Sequence, residues 1–441
     1  MGRFKPFSTA PVKERAILVG VDRGSGDWTI DESLEELRRL AETDGAEVVQ
    51  VVTQRLERPI PKTYIGSGKV SEVAHLVGSL EADVVIFDDE LTPSQQSNLE
   101  RAFKEPTKVI DRTALILDIF GEHARTREGR LQVQLAQLQY VLPRLRGMWS
   151  HLVGEQTRGG IGSRFGQGES QLEVDRRLIR NRIATLREEL KRLERRRNVQ
   201  SKARWESGIY RVALVGYTNA GKSTLLNRLT GADVYVRDEL FATLDPTTRS
   251  LDLEEGRRIT ITDTVGFIQK LPTTLVESFK STLAAALAAD LILKVVDASD
   301  PHAAKELDAV DAVLSEIGAS DIRSVVVYNK CDLLDGETRR ALALEHPEAV
   351  QMSALEGTGA DALLYRIAQE ASDGDVTITV VVPYEKGMLI KMLHERCQVI
   401  REEYVQGGLK ATVRASQRMH DFLEPYRIED GPEDGRIALT S

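Results

Sequence analysis

Gly216, Gly221, Lys222 and Ser223 set the frame of the segment Gly216-Tyr217-Thr218-Asn219-Ala220-Gly221-Lys222-Ser223, which reads G-x-x-x-x-G-K-S. The spacing suits a polyphosphate. A loop that wraps an anion must curl until several backbone N–H groups point inward, and glycine allows this without a Cβ clash. The helix that follows adds positive dipole density at its N-terminus. Lys222 is expected to reach the β- and γ-phosphates and Ser223 to ligate Mg²⁺. Thr224 completes the phosphate-binding candidates.

Further signals follow in a fixed order. RRITITDTVGF (257–267) ends a strand in D-x-x-G. Asp263 there would hold Mg²⁺ through water, and the Gly266 N–H would touch the γ-phosphate. SVVVYNKCD (324–332) ends in N-K-C-D. Asp332 can accept from both N1–H and N2–H₂ of guanine, Asn329 can bond the base edge, and Lys330 can lie over the ring. Adenine offers no such donor pair, so this carboxylate selects GTP over ATP. QMSALEGTG (351–359) supplies Ser353, Ala354 and Leu355, whose backbone would meet the guanine oxygen. Cys331 reads as a small buried residue inside the motif.

The chemistry expected of this set is phosphoryl transfer to water. In FATLDPTTR (241–249), Thr243 is the expected switch ligand to Mg²⁺ and the γ-phosphate, with Thr247 and Thr248 as alternatives. Lys222, Thr243 and Gly266 are the catalytic candidates. Ras-type enzymes place a glutamine directly after D-x-x-G to orient water, but Phe267 stands here. Intrinsic hydrolysis is therefore expected near the unassisted scale, about 10⁻⁴–10⁻³ s⁻¹, until a partner completes the site.

These motifs need a parallel sheet to carry them. The apolar runs DLILKVVDAS (290–299) and SVVVYN (324–329) are buried-strand candidates, and the G domain is expected over 208–372. Ahead of it, AILVGVD (16–22), EVVQVVTQ (47–54) and DVVIFDDE (83–90) alternate with amphipathic segments. That alternation predicts a parallel α/β domain over 1–124. Thr92-Pro93-x-Gln95 carries a cap, a proline at the first helical position and a capping-box glutamine. IGSGKV (65–70) resembles a phosphate loop but lacks its first glycine, and Val70 follows Lys69. A turn opening a helix is the plainer reading.

Between the two sheets the period turns helical. Leu131, Leu135, Leu138 and Leu142 make one stripe, which Pro143 and Gly147 are expected to end. Leu172, Ile179, Leu186 and Leu193 recur every seven residues. An antiparallel helical hairpin over 125–207 follows, with a glycine-rich loop at 154–170. That loop holds six glycines with Arg158, Arg164 and Phe165. From Arg176 to Arg204 twelve Lys/Arg face three Asp/Glu, too few to pair them, so a polyanion is expected there. Arg176, Arg177 and Arg180 join the RNA-contact candidates. After Asp375, TITVVVPYE, QVIREEYV and LKATVRA with two helical patterns predict a small β-α-β-β-α domain over 375–441.

Composition sets the outer limits. A 441-residue chain with 41% hydrophobic and 29% charged residues has room for several globular domains. The net charge of −9 argues against a wholly nucleic-acid-coating protein and leaves the basic hairpin as the local exception. Two cysteines exclude a disulfide framework, no apolar run reaches 18 residues, and the start lacks an apolar signal region. A cytoplasmic, monomeric protein is expected.

The combination of motifs resembles the HflX family of the Obg–HflX group of GTPases. YIGSGKV (64–70), QVQLAQLQY (132–140), GQGESQLEVDRRLIRNRI (166–183), GYTNAGKSTLLN (216–227), FATLDPTTR (241–249) and DTVGFIQKLP (263–272) carry the likeness over essentially the whole chain. The glycine loop reads RFGQGESQLE where the family usually carries a Pro-Gly-Glu-Thr-Gln version. The resemblance implies a P-loop GTPase domain behind an α/β domain and hairpin, with a small α+β C-terminal domain. It implies a GTPase that binds the large ribosomal subunit and splits or rescues stalled ribosomes under stress, its hairpin loop reaching ribosomal RNA. Related GTPases with a hydrophobic residue at the glutamine position hold K⁺ partly through a P-loop asparagine, which Asn219 matches, so K⁺ stimulation is expected. Two other readings stand beside this one: a GTPase acting on a free RNA or protein client, and ATP-driven RNA remodelling by the first domain. A scaffold that binds without turnover would not need the intact Lys222, Ser223 and Asp263.

Overall fold

The computed structural model describes residues 13–428 apart from 25–27, 105, 156–164, 206–208, 232–239, 242, 254–256 and 271–285. For 146–155, 165–172, 196–205 and 417–418 it describes backbone alone. The chain forms two compact units. The first holds residues 1–194, 237–245 and 265–282; the second holds 195–236, 246–264 and 283–441. Two short stretches from within the expected G domain thus pack with the first unit.

The first unit is built on a four-stranded parallel sheet of β1 (Arg15–Asp22), β2 (Glu47–Arg55), β3 (Val84–Phe87) and β4 (Lys108–Asp111), ordered β2-β1-β3-β4. Side chains alternate along a strand, and here both faces are covered. Ala16 and Leu18 meet Leu34, Leu37 and Leu40 of α1 (Ile30–Thr43) and Leu115 to Phe120 of α4 (Arg112–His123). Ile17 and Val19 face Val73 and Val77 of α2 (Ser67–Leu80) and Leu99 and Phe103 of α3 (Pro93–Phe103). Thr92 caps α3 in a complete capping box with Gln95, and Pro93 opens the helix. β4 and α4 lie beyond the three strands read from sequence.

Helix α5 (Arg127–Glu155) runs through Pro143 without ending, which corrects the expected break there and at Gly147. A proline removes one intrahelical hydrogen bond and crowds the preceding turn. Here tertiary packing holds the helix across that defect. Arg144, beside the proline, is 9% exposed and donates to Tyr140 O (2.9 Å), Leu91 O (2.7 Å), Gln96 Oε1 (3.1 Å) and Asp111 Oδ2 (3.3 Å). Helix α6 (Phe165–Trp205) returns antiparallel to α5, with Leu131, Leu135, Ile183 and Leu186 buried in the seam. Because α5 extends to Glu155 and α6 starts at Phe165, the expected loop at 154–170 is helical at both ends. Helix entry there satisfies backbone groups that a free loop would leave to water.

The second unit is a six-stranded sheet ordered β10-β9-β8-β5-β7-β6. Its strands are β5 (Tyr210–Gly216), β6 (Thr247–Asp252), β7 (Arg258–Asp263), β8 (Leu291–Asp297), β9 (Ser324–Asn329) and β10 (Val350–Gln351), of which β6 alone among these pairs antiparallel, to β7. Helices α7 (Lys222–Thr230), α8 (Ala303–Glu316), α9 (Gly336–Glu345) and α10 (Ala360–Ser372) accompany it. A three-stranded antiparallel sheet follows, ordered β11-β13-β12. It comprises β11 (Val376–Val382), β12 (Gln398–Val405) and β13 (Gly408–Ala415), with α11 (Gly387–Arg396) and α12 (Gln417–Leu423). This is the expected β-α-β-β-α order. Among the described residues no helix is long and apolar enough to cross a membrane.

Candidate functional site

β5 delivers Gly216 to the carboxyl edge of the six-stranded sheet, where backbone from two strands meets. A Cβ on Gly216 would lie 2.1 Å from Val295 O, so only glycine fits. The loop then turns through Asn219 (φ 60°) and Gly221 (φ 90°) before α7 begins at Lys222. A Cβ on Gly221 would also stand 2.2 Å from Asn329 Nδ2. Lys222 is buried and folds back into the loop, donating to Gly216 O (3.0 Å) and Tyr217 O (2.6 Å). Burial pulls its ammonium down to about 8, against the opposing pull of Asp263 and Glu306.

β7 runs beside β5 with Asp263 opposite Leu214, which places the D-x-x-G aspartate next to the loop. Ser223 Oγ donates to Asp263 Oδ2 at 2.6 Å, bringing together the two oxygens expected at Mg²⁺. Thr264 Oγ1 donates to Leu214 O at 2.7 Å and pins the turn that carries Gly266. Phe267 is buried, 2% exposed. Thr224 is half-buried on α7 and Thr243 half-buried ahead of β6. Of the alternatives to Thr243, Thr247 and Thr248 already belong to β6, and the Thr248 hydroxyl lies 2.9 Å from that of Thr262.

At the base-selecting corner Asn329 ties two loops together. Its Nδ2 donates to Ala220 O (2.9 Å), and its Oδ1 accepts from Ala354 N (2.8 Å). Sequence reasoning assigns Asn329 to the base edge; its amide also bridges the phosphate loop to the Ser-Ala-Leu loop. Lys330 adopts a left-handed conformation (φ 60°) and pairs with Asp297 Oδ2 at 2.7 Å. Asp332 is exposed, its carboxylate open to a ligand. Ser353 and Ala354 are buried, while Leu355 is exposed. Cys331 is buried, donates to Tyr328 O and takes no part in this constellation.

Arg228, Asp297 and Gly359 belong to the site although no motif named them. Arg228 on α7 donates to Ala354 O (3.0 Å) and to Leu355 O, holding the Ser-Ala-Leu loop. A Cβ on Gly359 would lie 2.3 Å from Gln351 O. The signals were faint: an arginine one turn past the phosphate loop, an aspartate closing a strand, and a glycine after Ser-Ala-Leu.

The first unit holds the stretches 237–245 and 265–282, which lie on either side of β6 and β7 in the sequence. Phe241 sits at 4.6 Å, edge to face, on Phe120, with Leu240, Leu244, Val265 and Ile268 in the same apolar cluster. Asp245 accepts from Arg125 N (3.0 Å), Thr126 N (2.7 Å) and the Thr126 hydroxyl. Fully buried Arg112 binds Asp88 Oδ1 (2.7 Å), Glu36 Oε1 (2.6 Å) and Gln269 O (3.3 Å). Lys270 pairs with both Asp88 and Asp89. Burial pushes the Asp88 carboxyl up, but Arg112 and Lys270 outweigh it and hold the group below the usual carboxylate range.

The other candidates divide by place. Gly66 caps α2 with its N–H donating to Gln54 Oε1 (2.9 Å), and Lys69 pairs with Glu72 (2.8 Å). Arg177 and Arg180 are exposed on α6, and Arg176 is half-buried. Phe165 is the first residue of α6. Arg158 and Arg164 lie outside the described residues.

Residues 31–121 match the family described as GTP-binding GTPase N-terminal, 123–204 the GTP-binding GTPase middle region, and 211–330 the family described as 50S ribosome-binding GTPase. A GTPase HflX of Caldanaerobacter subterraneus is 46% identical over 93% of this chain and 94% of its own. The GTPase HflX of Escherichia coli is 44% identical over 92% and 95%. Among solved structures, the complex of SsGBP with GDP is 26% identical and covers 81% of this chain and 98% of its own, at a TM-score of 0.46. With 46% and 44% identity to these two HflX GTPases along almost its whole length, the chain belongs to the HflX family of GTPases and hydrolyses GTP.

Proposed function

We propose that this chain is a ribosome-associated GTPase that binds the large subunit through its helical hairpin and splits or rescues stalled ribosomes under stress. The observation that carries the reading is the surface of α6. Arg177, Arg180, Arg182, Arg187, Arg192 and Arg195 are exposed, while Ile183 and Leu186 on the other side are buried against α5. A rigid arm with its cations turned to water suits an RNA backbone, to which such contacts give strongly salt-dependent affinity. The family to which residues 211–330 match is itself described as 50S ribosome-binding.

In the nucleotide site, Lys222 exchanges the carbonyls of Gly216 and Tyr217 for phosphate oxygens, and Asp332 accepts from the guanine edge. The hard oxygens of Ser223, Asp263 and Thr243 fit Mg²⁺, which would neutralise charge developing on the β- and γ-oxygens. Asn219, an exposed residue of the loop, is the one that would hold K⁺. The Gly266 N–H would meet the γ-phosphate, and loss of that phosphate would release the D-x-x-G turn, an order-to-release step of the switch kind.

Sedimentation with purified large subunits tests the reading. Co-migration is expected with a non-hydrolysable GTP analogue and weaker co-migration with GDP. Reversing Arg177, Arg180 and Arg187 together to Glu should weaken it at least about tenfold at physiological salt and flatten its salt dependence, with GDP binding intact. Unchanged co-migration would remove the hairpin as the contact. Ribosome-stimulated hydrolysis separates this reading from a free RNA or protein client. Faster hydrolysis in KCl than in NaCl is expected, and lost in Asn219→Ala.

A further inference from the structure

Three hydroxyls around the nucleotide site have partners within the protein, and a fourth, buried one has none. Ser223 donates to Asp263, Thr264 to Leu214 O, and Ser353 Oγ accepts from Glu356 N at 3.1 Å. Thr218 is 7% exposed, and its Oγ1 is buried with no hydrogen-bond partner. Among the described residues it is the one serine or threonine hydroxyl in that condition. A buried hydroxyl without a protein partner is costly unless something else meets it, and native structures keep few of them without a reason.

Its place in the loop supplies the reason. Lys222, the residue that reaches the β- and γ-phosphates, rests its ammonium on the carbonyls of Gly216 and Tyr217, the two residues before Thr218. Thr218 therefore stands at the distal-phosphate end of the loop, whereas Gly221 to Thr224 stand at the helix end. The left-handed turn at Asn219 separates the two. In the sequence, Phe267 leaves the D-x-x-G turn without a hydrogen-bonding side chain directly after its glycine.

We infer that Thr218 is a further catalytic residue: its hydroxyl donates to a γ-phosphate oxygen as negative charge builds during attack by water. The hydroxyl transfers no proton. The bond from the γ-phosphorus to the bridging oxygen breaks, the bond to water oxygen forms, and Thr218 stabilises the charge spread over the equatorial oxygens. Its worth lies in preorganisation, because the donor is already desolvated before GTP arrives. The inference rests on GTP hydrolysis and stands apart from the ribosome reading.

The test compares Thr218→Val, which keeps shape and loses the hydroxyl, with Thr218→Ser, which keeps the hydroxyl. Thr218→Ala serves as a second hydroxyl-free variant should valine distort the loop. Single-turnover GTP hydrolysis by the full chain is expected to slow about 10- to 100-fold in Val and Ala and to stay within about threefold in Ser. Affinity for GDP and the melting temperature should hold, while capture of GDP with aluminium fluoride, a mimic of the transferring phosphoryl group, should fall in parallel with the rate. Wild-type hydrolysis in Val and Ala would overturn the inference. So would equal loss in Ser, which would mark a packing role, or weaker GTP and GDP binding at an unchanged turnover rate, which would mark ground-state binding alone.

Discussion

Two sheets in this molecule, one wholly parallel and one parallel but for β6, end in glycine-bearing loops, and their carboxyl edges have opposite characters. Ligands of open α/β sheets bind at that edge. In the six-stranded sheet the edge is held ready: Gly216 lets two backbones touch, Lys222 is parked on loop carbonyls that a phosphate can replace, and Asp332 is open. In the four-stranded sheet the edge is filled from within the protein. Asp88 at the end of β3 accepts from Arg112, Lys270 and Ser33, the last at 2.7 Å. In the loop at 65–69 the Gly66 N–H likewise donates to Gln54 and Lys69 pairs with Glu72. A similar string of residues makes a ligand site only where its donors are left for a ligand.

The contrast can be broken most forcefully at Arg112. Arg112→Met leaves Asp88 and Glu36 buried with their main partner gone, and a loss of about 3–5 kcal/mol is expected by chemical denaturation. Arg112→Lys should recover only part, since one ammonium cannot serve Asp88, Glu36 and Gln269 O at once. Next comes the pair of lysines. Lys222→Ala should lower GTP hydrolysis at least about 100-fold, whereas Lys69→Ala should leave it within about twofold, because its pair with Glu72 is a surface one. A matched loss at Lys69 would make the first loop a nucleotide site after all.

The glycines give a third measure. Gly216→Ala drives a Cβ into Val295 O and should cost about 1–3 kcal/mol together with nucleotide binding. Gly66→Ala meets the end of the flexible Gln54 side chain at 3.0 Å and should cost less than about 1 kcal/mol.

The smallest effect lies at the opposite end of the four-stranded sheet. Burial, then the charges of Asp118, Glu122 and Glu14, push Asp44 up to about 7. The folded protein thus holds this proton more tightly than the unfolded chain. Its contribution to stability is full below the ordinary carboxylate range and is lost as pH rises to about 7. Asp44→Asn should raise the melting temperature relative to wild type at pH 8 and not at pH 4. The gain, discounted for a half-exposed group, is about 0.5–1 kcal/mol.

Legibility in the sequence followed the range of the interaction. Thr92, Pro93 and Gln95 announce α3 because a capping box is closed within three residues. The four nucleotide motifs are legible for the same reason, each being a local backbone shape with a side chain at a fixed offset. β4 and α4 were not read, since a strand of four residues running into its helix without a loop gives little period to detect. Pro143 misled because its local penalty is offset by Arg144 reaching residues far away in the chain, and the glycine-rich loop because helices enter it from both sides.

By itself the sequence determined the curl of the phosphate loop, the choice of guanine, the heptad seam of the hairpin and the order of the C-terminal domain. All of these depend on backbone freedom or on periodicity within a few residues. Only the tertiary structure decided which polar groups are already used and which wait for a ligand. Arg112 meets partners 24, 76 and 157 residues away, and Asn329 joins Ala220 to Ala354 across 109 and 25. Hydrogen bonds are directional and short, so their partners are set when distant strands come into register. Thr218 lacks a partner for the same reason, a fact no local pattern could have disclosed.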